Sequence, residues 1–195
     1  MSISDVYKGS SSGLCLSGRI ASGHVCVNDK VLICPLKEQS VVKSITIDEV
    51  SVVTAFAGDQ VSVTLNALEN NVPIGAILSE LSNPVPMASK IRVRIIVFNV
   101  KTPITVGFPV LMHHHSLVEP ATISKLKAQL HKGTGEVIKK NPRVLTNNTC
   151  AIVELNFQKT IAIEKFSDLK EMGRVMLRVG GVTIAAGLVT DVISS

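Results

Sequence analysis

The 195-residue chain predicts an all-β protein built from two consecutive antiparallel β-barrels, residues 1–83 and 84–195. Three observations carry that reading. Val, Ile, Leu and Ala supply most of the apolar content, with no Trp and one Tyr, and Val and Ile outnumber good surface helix formers along most of the chain. Short apolar stretches alternate with turn residues every ~8–12 positions, the rhythm of sheets that close on themselves and leave no open edge. Leu81 to Met87, LSNPVPM, breaks the rhythm with two prolines. Prolines remove backbone donors and hold their neighbours extended, so this is a stiff connector between halves, each large enough to bury its own core.

Composition excludes several classes. No apolar run approaches the ~18 residues needed to span a bilayer, and Met1 to Ser12 is polar, so neither a membrane segment nor a secretory signal is expected. The chain reads as soluble and cytoplasmic. Cys15, Cys26, Cys34 and Cys150 form no C-x-x-C pair and read as reduced, buried thiols; without a secretory signal, the sequon at Asn147-Asn148-Thr149 is discounted. Charge separates the halves. Residues 1–83 hold five Lys/Arg against eight Asp/Glu, net −3, and residues 84–195 hold fifteen against seven, net +8, which together recover the chain's +5. A basic partner surface therefore belongs to the second half.

In chain order, Ser2 to Gly13 reads as a strand followed by a Ser/Gly-rich loop. Leu14 to Ile20 and Val25 to Pro35 read as a hairpin joined at Ala21–His24, its second strand broken at Asn28-Asp29. Val41 to Ile47, a strand within Glu49 to Phe56, Val61 to Leu68 and the segment closing near Leu78 complete the first half. The second half opens on KIRVRIIVFNV, with Arg92 and Arg94 on one face and Ile91, Val93 and Ile95 on the other. Glu119 to Pro142 fits helical and strand periods alike, and its Lys132-Gly133-Thr134-Gly135 turn favours a long hairpin. There Lys125 and Lys127 share a face, and Lys139, Lys140 and Arg143 add to a basic tip that reads equally as a phosphate contact or as a solvated hairpin end. Thr149 to Leu155 and Ile161 to Phe166 read as two further strands. On a strand, His113 and His115 would share a face ~7 Å apart with His114 opposite, so at most two could hold one zinc. No metal site, nucleophile–base pair or paired carboxylates is legible, so no catalytic residue is expected.

The stretch Gly173 to Val189, GRVMLRVGGVTIAAGLV, reads as two strands around a Gly180-Gly181 turn, with Arg174 and Arg178 four apart. Its Gly-Arg-x-x-Leu-Arg followed by Gly-x-Thr-x-Ala-x-Gly-x-Val resembles the last hairpin of the elongation factor 1-alpha family of translational GTPases. Gly18-Arg19 with Gly23, and Ala57-Gly58-Asp59 leading to Val61, Leu65 and Gly75, resemble that family's second domain. Asn99, Pro103-Ile104 and Gly107-Phe108-Pro109-Val110-Leu111 with His113 resemble the opening of its third. The Gly-Phe-Pro-Val-Leu segment, Glu119-Pro120-Ala121, Thr134-Gly135-Glu136-Val137 and the Gly180-Gly181 hairpin are most similar to the Hbs1-like branch.

The resemblance implies a C-terminal binding module without chemistry of its own. The chain has no G-x-x-x-x-G-K-[ST] loop, so it lacks the GTPase domain; GTP and Mg would belong to a full-length parent. It implies a Pelota-like release factor paralogue as partner, with Arg174, Arg178, Thr183, His113 and Phe108 as the contact face. It further implies that the first barrel faces the small ribosomal subunit and supports the parent's GTPase domain. Arg19, Lys125, Lys127, Lys139, Lys140 and Arg143 are candidate ribosome contacts. Most of the family carries Phe after Gly-Arg and Asp after Leu-Arg, where this chain has Val175 and Val179; loss of that acid frees Arg178 and weighs against carrying tRNA. The release factor GTPase and elongation factor 1-alpha are the nearer alternatives; a metal-dependent hydrolase on the histidines and a general RNA-binding barrel are alternatives from other classes.

Overall fold

The computed structural model describes residues 1–8, 13–66, 71–98 and 100–193. The Ser/Gly-rich loop and Asn99 singled out above fall outside them. Among the described residues there is no helix. Two compact units emerge: Met1–Val85 with His115–Leu117, and Pro86–His114 with Val118–Ser195.

The first unit contains β1 (Ser2–Lys8), β2 (Leu14–Arg19), β3 (His24–Cys26), β4 (Lys30–Cys34), β5 (Glu38–Ile47), β6 (Val50–Val52), β7 (Thr54–Phe56), β8 (Gln60–Leu65) and β9 (Ile77–Glu80). The order β4-β9-β1-β2-β8-β5 closes through a β4–β5 pairing into a six-stranded antiparallel barrel, with β6 appended to β5. Alternation drives closure: Leu16, Ile33, Ile45, Val63 and Leu65 point inward and are fully buried. The expected hairpin between Leu14–Ile20 and Val25–Pro35 does not form. Instead β2 pairs with β1 and β8, and β3 leaves the barrel to pair with β7. The pleat explains the difference. Inward Leu16 finds its cross-strand partner in Val63 on β8, and the strand break at Asn28-Asp29 lets β3 and β4 take different neighbours.

The second unit contains β10 (Met87–Val97), β11 (Pro109–His114), β12 (Leu117–Leu130), β13 (Val137–Lys140), β14 (Cys150–Ala162), β15 (Arg174–Val179) and β16 (Val182–Ile193). The order β11-β15-β16-β10-β14-β12 closes through β11–β12, again six strands, and β13 hangs from β12. Ile91, Ile95, Met112, Ile123, Leu155 and Leu177 are fully buried within it. The ambiguous stretch from Glu119 is thus strand and hairpin. Two expected strands merge: β14 is one strand through Gln158-Lys159-Thr160, because β10, after a register shift opposite that stretch, resumes pairing at Ala88 opposite Ile161 and Met87 opposite Ala162. Residues 163–173 then turn instead of forming a strand.

Candidate partner-binding face

The β15–β16 hairpin turns through Gly180 and Gly181 at φ +55° and +80°, with Val179 opposite Val182. Two consecutive positive φ values define the turn whose twist matches the strands, and glycine adopts them without strain. Alternation from that turn sends Val175 and Leu177 into the core and Arg174, Met176 and Arg178 outward.

Register assembles the rest of the face. Met176 lies opposite His113 and Arg178 opposite Leu111 on β11; across the hairpin Arg178 meets Thr183 and Arg174 meets Leu188. A register shift between Leu177 and Arg178 leaves Ile184 as the extra residue, which keeps Thr183 level with the arginine. Four of the five expected partner residues, Arg174, Arg178, Thr183 and His113, therefore share one outer face. Phe108 does not join that row. It precedes β11, half-buried, its carbonyl accepting from the Ile123 N–H at 3.0 Å.

Both arginines are held from behind. The Arg178 guanidinium donates through Nη2 to the Gly181 carbonyl, while its buried Nε has no hydrogen-bond partner among the described residues. An open groove beside it is lined by Pro109, Leu111, Pro120, Thr122, Asn156 and Arg178. Arg174 rests with Cζ 5.8 Å above the Phe166 ring, within cation–π range. That contact depends on Gly173, where a Cβ would fall 2.3 Å from the Phe166 backbone. Such a face presents two forked cations about an apolar strip, the pattern that engages carboxylates or phosphates bidentately.

The histidine triplet is not arranged as a strand would place it. β11 ends at His114, and His115 takes a left-handed φ of +49°, so His113 and His115 no longer share a face. His114 is buried with Nε2 2.8 Å from the Met172 carbonyl. Among the described residues no three His, Cys, Asp or Glu side chains are grouped to hold a metal.

The candidate ribosome contacts scatter. Arg19 is exposed in the first barrel, where Nε donates to the Gly58 carbonyl at 3.3 Å. Lys125 and Lys127 do share an outer face, but both turn to Glu154, at 3.9 and 3.5 Å. Glu154 is only 4% exposed and also accepts from Arg92 at 3.2 Å, and Arg92 in turn donates to Asp191 at 2.9 Å. Burial alone would raise the Glu154 pKa; the Arg92 hydrogen bond and the Lys127, Lys125 and Arg92 charges override it and hold the carboxyl below its ordinary 4.5. Lys139, Lys140 and Arg143 lie exposed on and after β13, away from this ladder. Sequence reasoning missed the ladder because Arg92 and Asp191 are 99 positions apart. It also missed Met176 and Leu111, which strand alternation from Arg174 and Pro109 would have revealed.

Residues 90–190 match the family described as GTP-eEF1A C-terminal domain-like. The chain belongs to that family. The chain is similar to Protein HBS1 of Drosophila melanogaster, at 58% identity over 98% of this chain and 29% of that protein. The GTP-binding subunit of the peptide chain release factor of Ogataea pini is 32% identical over 93% of the chain and 25% of that protein. A crystal structure of sup35 complexed with GDP superposes with a TM-score of 0.94 at 30% identity, covering the whole chain and 47% of that structure. The family chain thus spans less than half the length of these relatives. The barrels are those of a translational GTPase C-terminal module on its Hbs1 side, as the sequence motifs imply.

Proposed function

We propose that this module serves an Hbs1-like translational GTPase that, with a Pelota-like release factor paralogue, clears stalled ribosomes in no-go mRNA surveillance. The outer row of Arg174, Met176, Arg178 and Thr183 carries the reading, because it joins the family's hairpin motif to a two-arginine face open to a protein partner. The second barrel grips the paralogue; the first faces the small ribosomal subunit and supports the parent's GTPase domain. GTP and Mg bind in that parent domain, and the work takes place in the cytoplasm.

Calorimetric titration of the chain with purified Pelota tests this, with release factor and aminoacyl-tRNA as parallel titrants. Saturable Pelota binding is expected. Arg178→Ala should weaken it by ~2 kcal/mol or more, as for a hot-spot arginine. Arg178→Lys should not restore it, since an ammonium lacks the fork. Preferential binding of release factor or tRNA would move the chain to another branch of the family.

A further inference from the structure

We propose that the outer face formed by the end of β10 and the β12–β13 hairpin is a second docking surface, suited to an acidic, apolar-anchored peptide segment of another protein. Arg94, Ile96 and Phe98 alternate outward on and just past β10, and the two apolar side chains are 48% and 43% exposed. Cross-strand register extends this edge into a floor. Ile96 lies opposite Cys150, Cys150 opposite Leu130, and Leu130 opposite Val137. One row along, Arg94 lies opposite Ile152, Ile152 opposite Ala128, and Ala128 opposite Lys140. Ala128, Leu130 and Cys150 pack with Ile152 into a small buried cluster of their own, so the middle of this face is a supporting layer and its margins are what a partner can touch.

Its far margin is β13, the last strand in the sheet order, where all four residues are exposed. Val137 and Ile138 are 51% and 60% exposed, and Val137 and Lys140 face the floor, whereas Lys139, opposite Gln129, points to the other side of the sheet. The turn between β12 and β13 reaches back to β10: a Cβ on Gly135 would sit 3.5 Å from Arg94 Nη2. The two margins are thereby brought onto one face.

The chemistry specifies the occupant. Arg94 and Lys140, the two cations in this row, form no ion pair among the described residues, and neither do Lys132 in the turn and Arg143 beyond β13. Glu136, the carboxylate in the β12–β13 turn, accepts from Thr134 Oγ1 at 3.2 Å and keeps its charge, so the face is positive only by the balance of its cations. Unpaired cations interleaved with large aliphatic side chains complement a segment that alternates carboxylates with apolar residues. RNA fits less well. Sequence-tolerant RNA binding stacks bases on aromatic rings, and on this face Phe98 is the one aromatic among the described residues. Lys125 and Lys127, which would widen the positive field, are engaged by Glu154. This surface does not use Arg174 or Arg178 and stands independently of the function proposed above.

The test is an NMR titration of the chain with a short synthetic peptide of alternating Glu and Leu, beside polyglutamate of equal length and oligouridine RNA. Amide shifts are expected at Arg94, Ile96 and Val137 to Asn141. Binding should fall about fivefold in Lys140→Glu and about threefold in Ile138→Ser, stay within about twofold in Lys139→Glu on the opposite face, and persist in Arg178→Ala. Polyglutamate should bind more weakly than the mixed peptide. The proposal is overturned by absent shifts, by shifts centred on Arg174 and Arg178, or by oligouridine binding more tightly than the peptide. Either exposed lysine can be replaced without loss of fold, which an unchanged thermal unfolding profile will verify.

Discussion

Glu154 shows how one buried acid reshapes the chemistry of residues around it. The sequence counts Lys125 and Lys127 among free cations, yet both spend their charge on this carboxylate, which also fixes Arg92. Such an arrangement contributes stability only while the carboxyl is ionised. Because its folded pKa lies below the ordinary 4.5, the contribution is present above that value and fades as pH falls through it and below. Glu154→Gln should therefore lower unfolding free energy at neutral pH by about 2 kcal/mol in urea titrations. Near pH 3 the gap between variant and parent should shrink; a gap of equal size there would refute the electrostatic account. At the partner face, Arg174→Ala and Arg178→Ala are expected to differ. Arg174 leans on Phe166, whereas Arg178 is tied to the turn and borders the groove, so Arg178 should cost the greater loss of the proposed Pelota affinity by calorimetry.

At the scale of elements, the last hairpin was the most legible part of the chain, because its information is local. Two glycines with positive φ and strict alternation place the outward arginines without reference to anything distant. Gly187 shows another local demand. A Cβ there would meet Val93 Cγ1 at 2.5 Å and Ile95 Cγ2 at 2.9 Å inside the barrel. Gly187→Ala should then destabilise by about 1–3 kcal/mol through overpacking, measurable as a lowered denaturation midpoint with unchanged slope. Where pairing depends on remote strands, sequence reading failed. Nothing local says that β2 chooses β8 over β4, or that Ile161 continues β14, since long-range register settles both. Likewise His115 leaves the strand because β11 and β12 must turn there, a constraint on the pair that neither segment announces alone.

For the whole molecule, the fold class was readable because two barrels impose one repeated rule, alternation between turns, over nearly two hundred residues. The net +8 of the second half was readable too, although not its uneven use: part is neutralised around Glu154 and part stands free around β13. Residues 86–195, expressed apart from the remainder, should give a dispersed amide spectrum and keep the Pelota affinity proposed for the intact chain; collapse of that spectrum would show that the division at Val85 is not one of folding. The strand order has a further consequence. In the second barrel the opening strand, β10, takes as one of its two neighbours the closing strand, β16, from Lys90 opposite Ile193 to Val97 opposite Ala185. During synthesis, then, Met87–Val97 emerges long before its partner exists, and the apolar edge stays open until Val182–Ile193 has left the ribosome. A factor of this family must itself pass through a stage in which an unfinished nascent chain is unable to close.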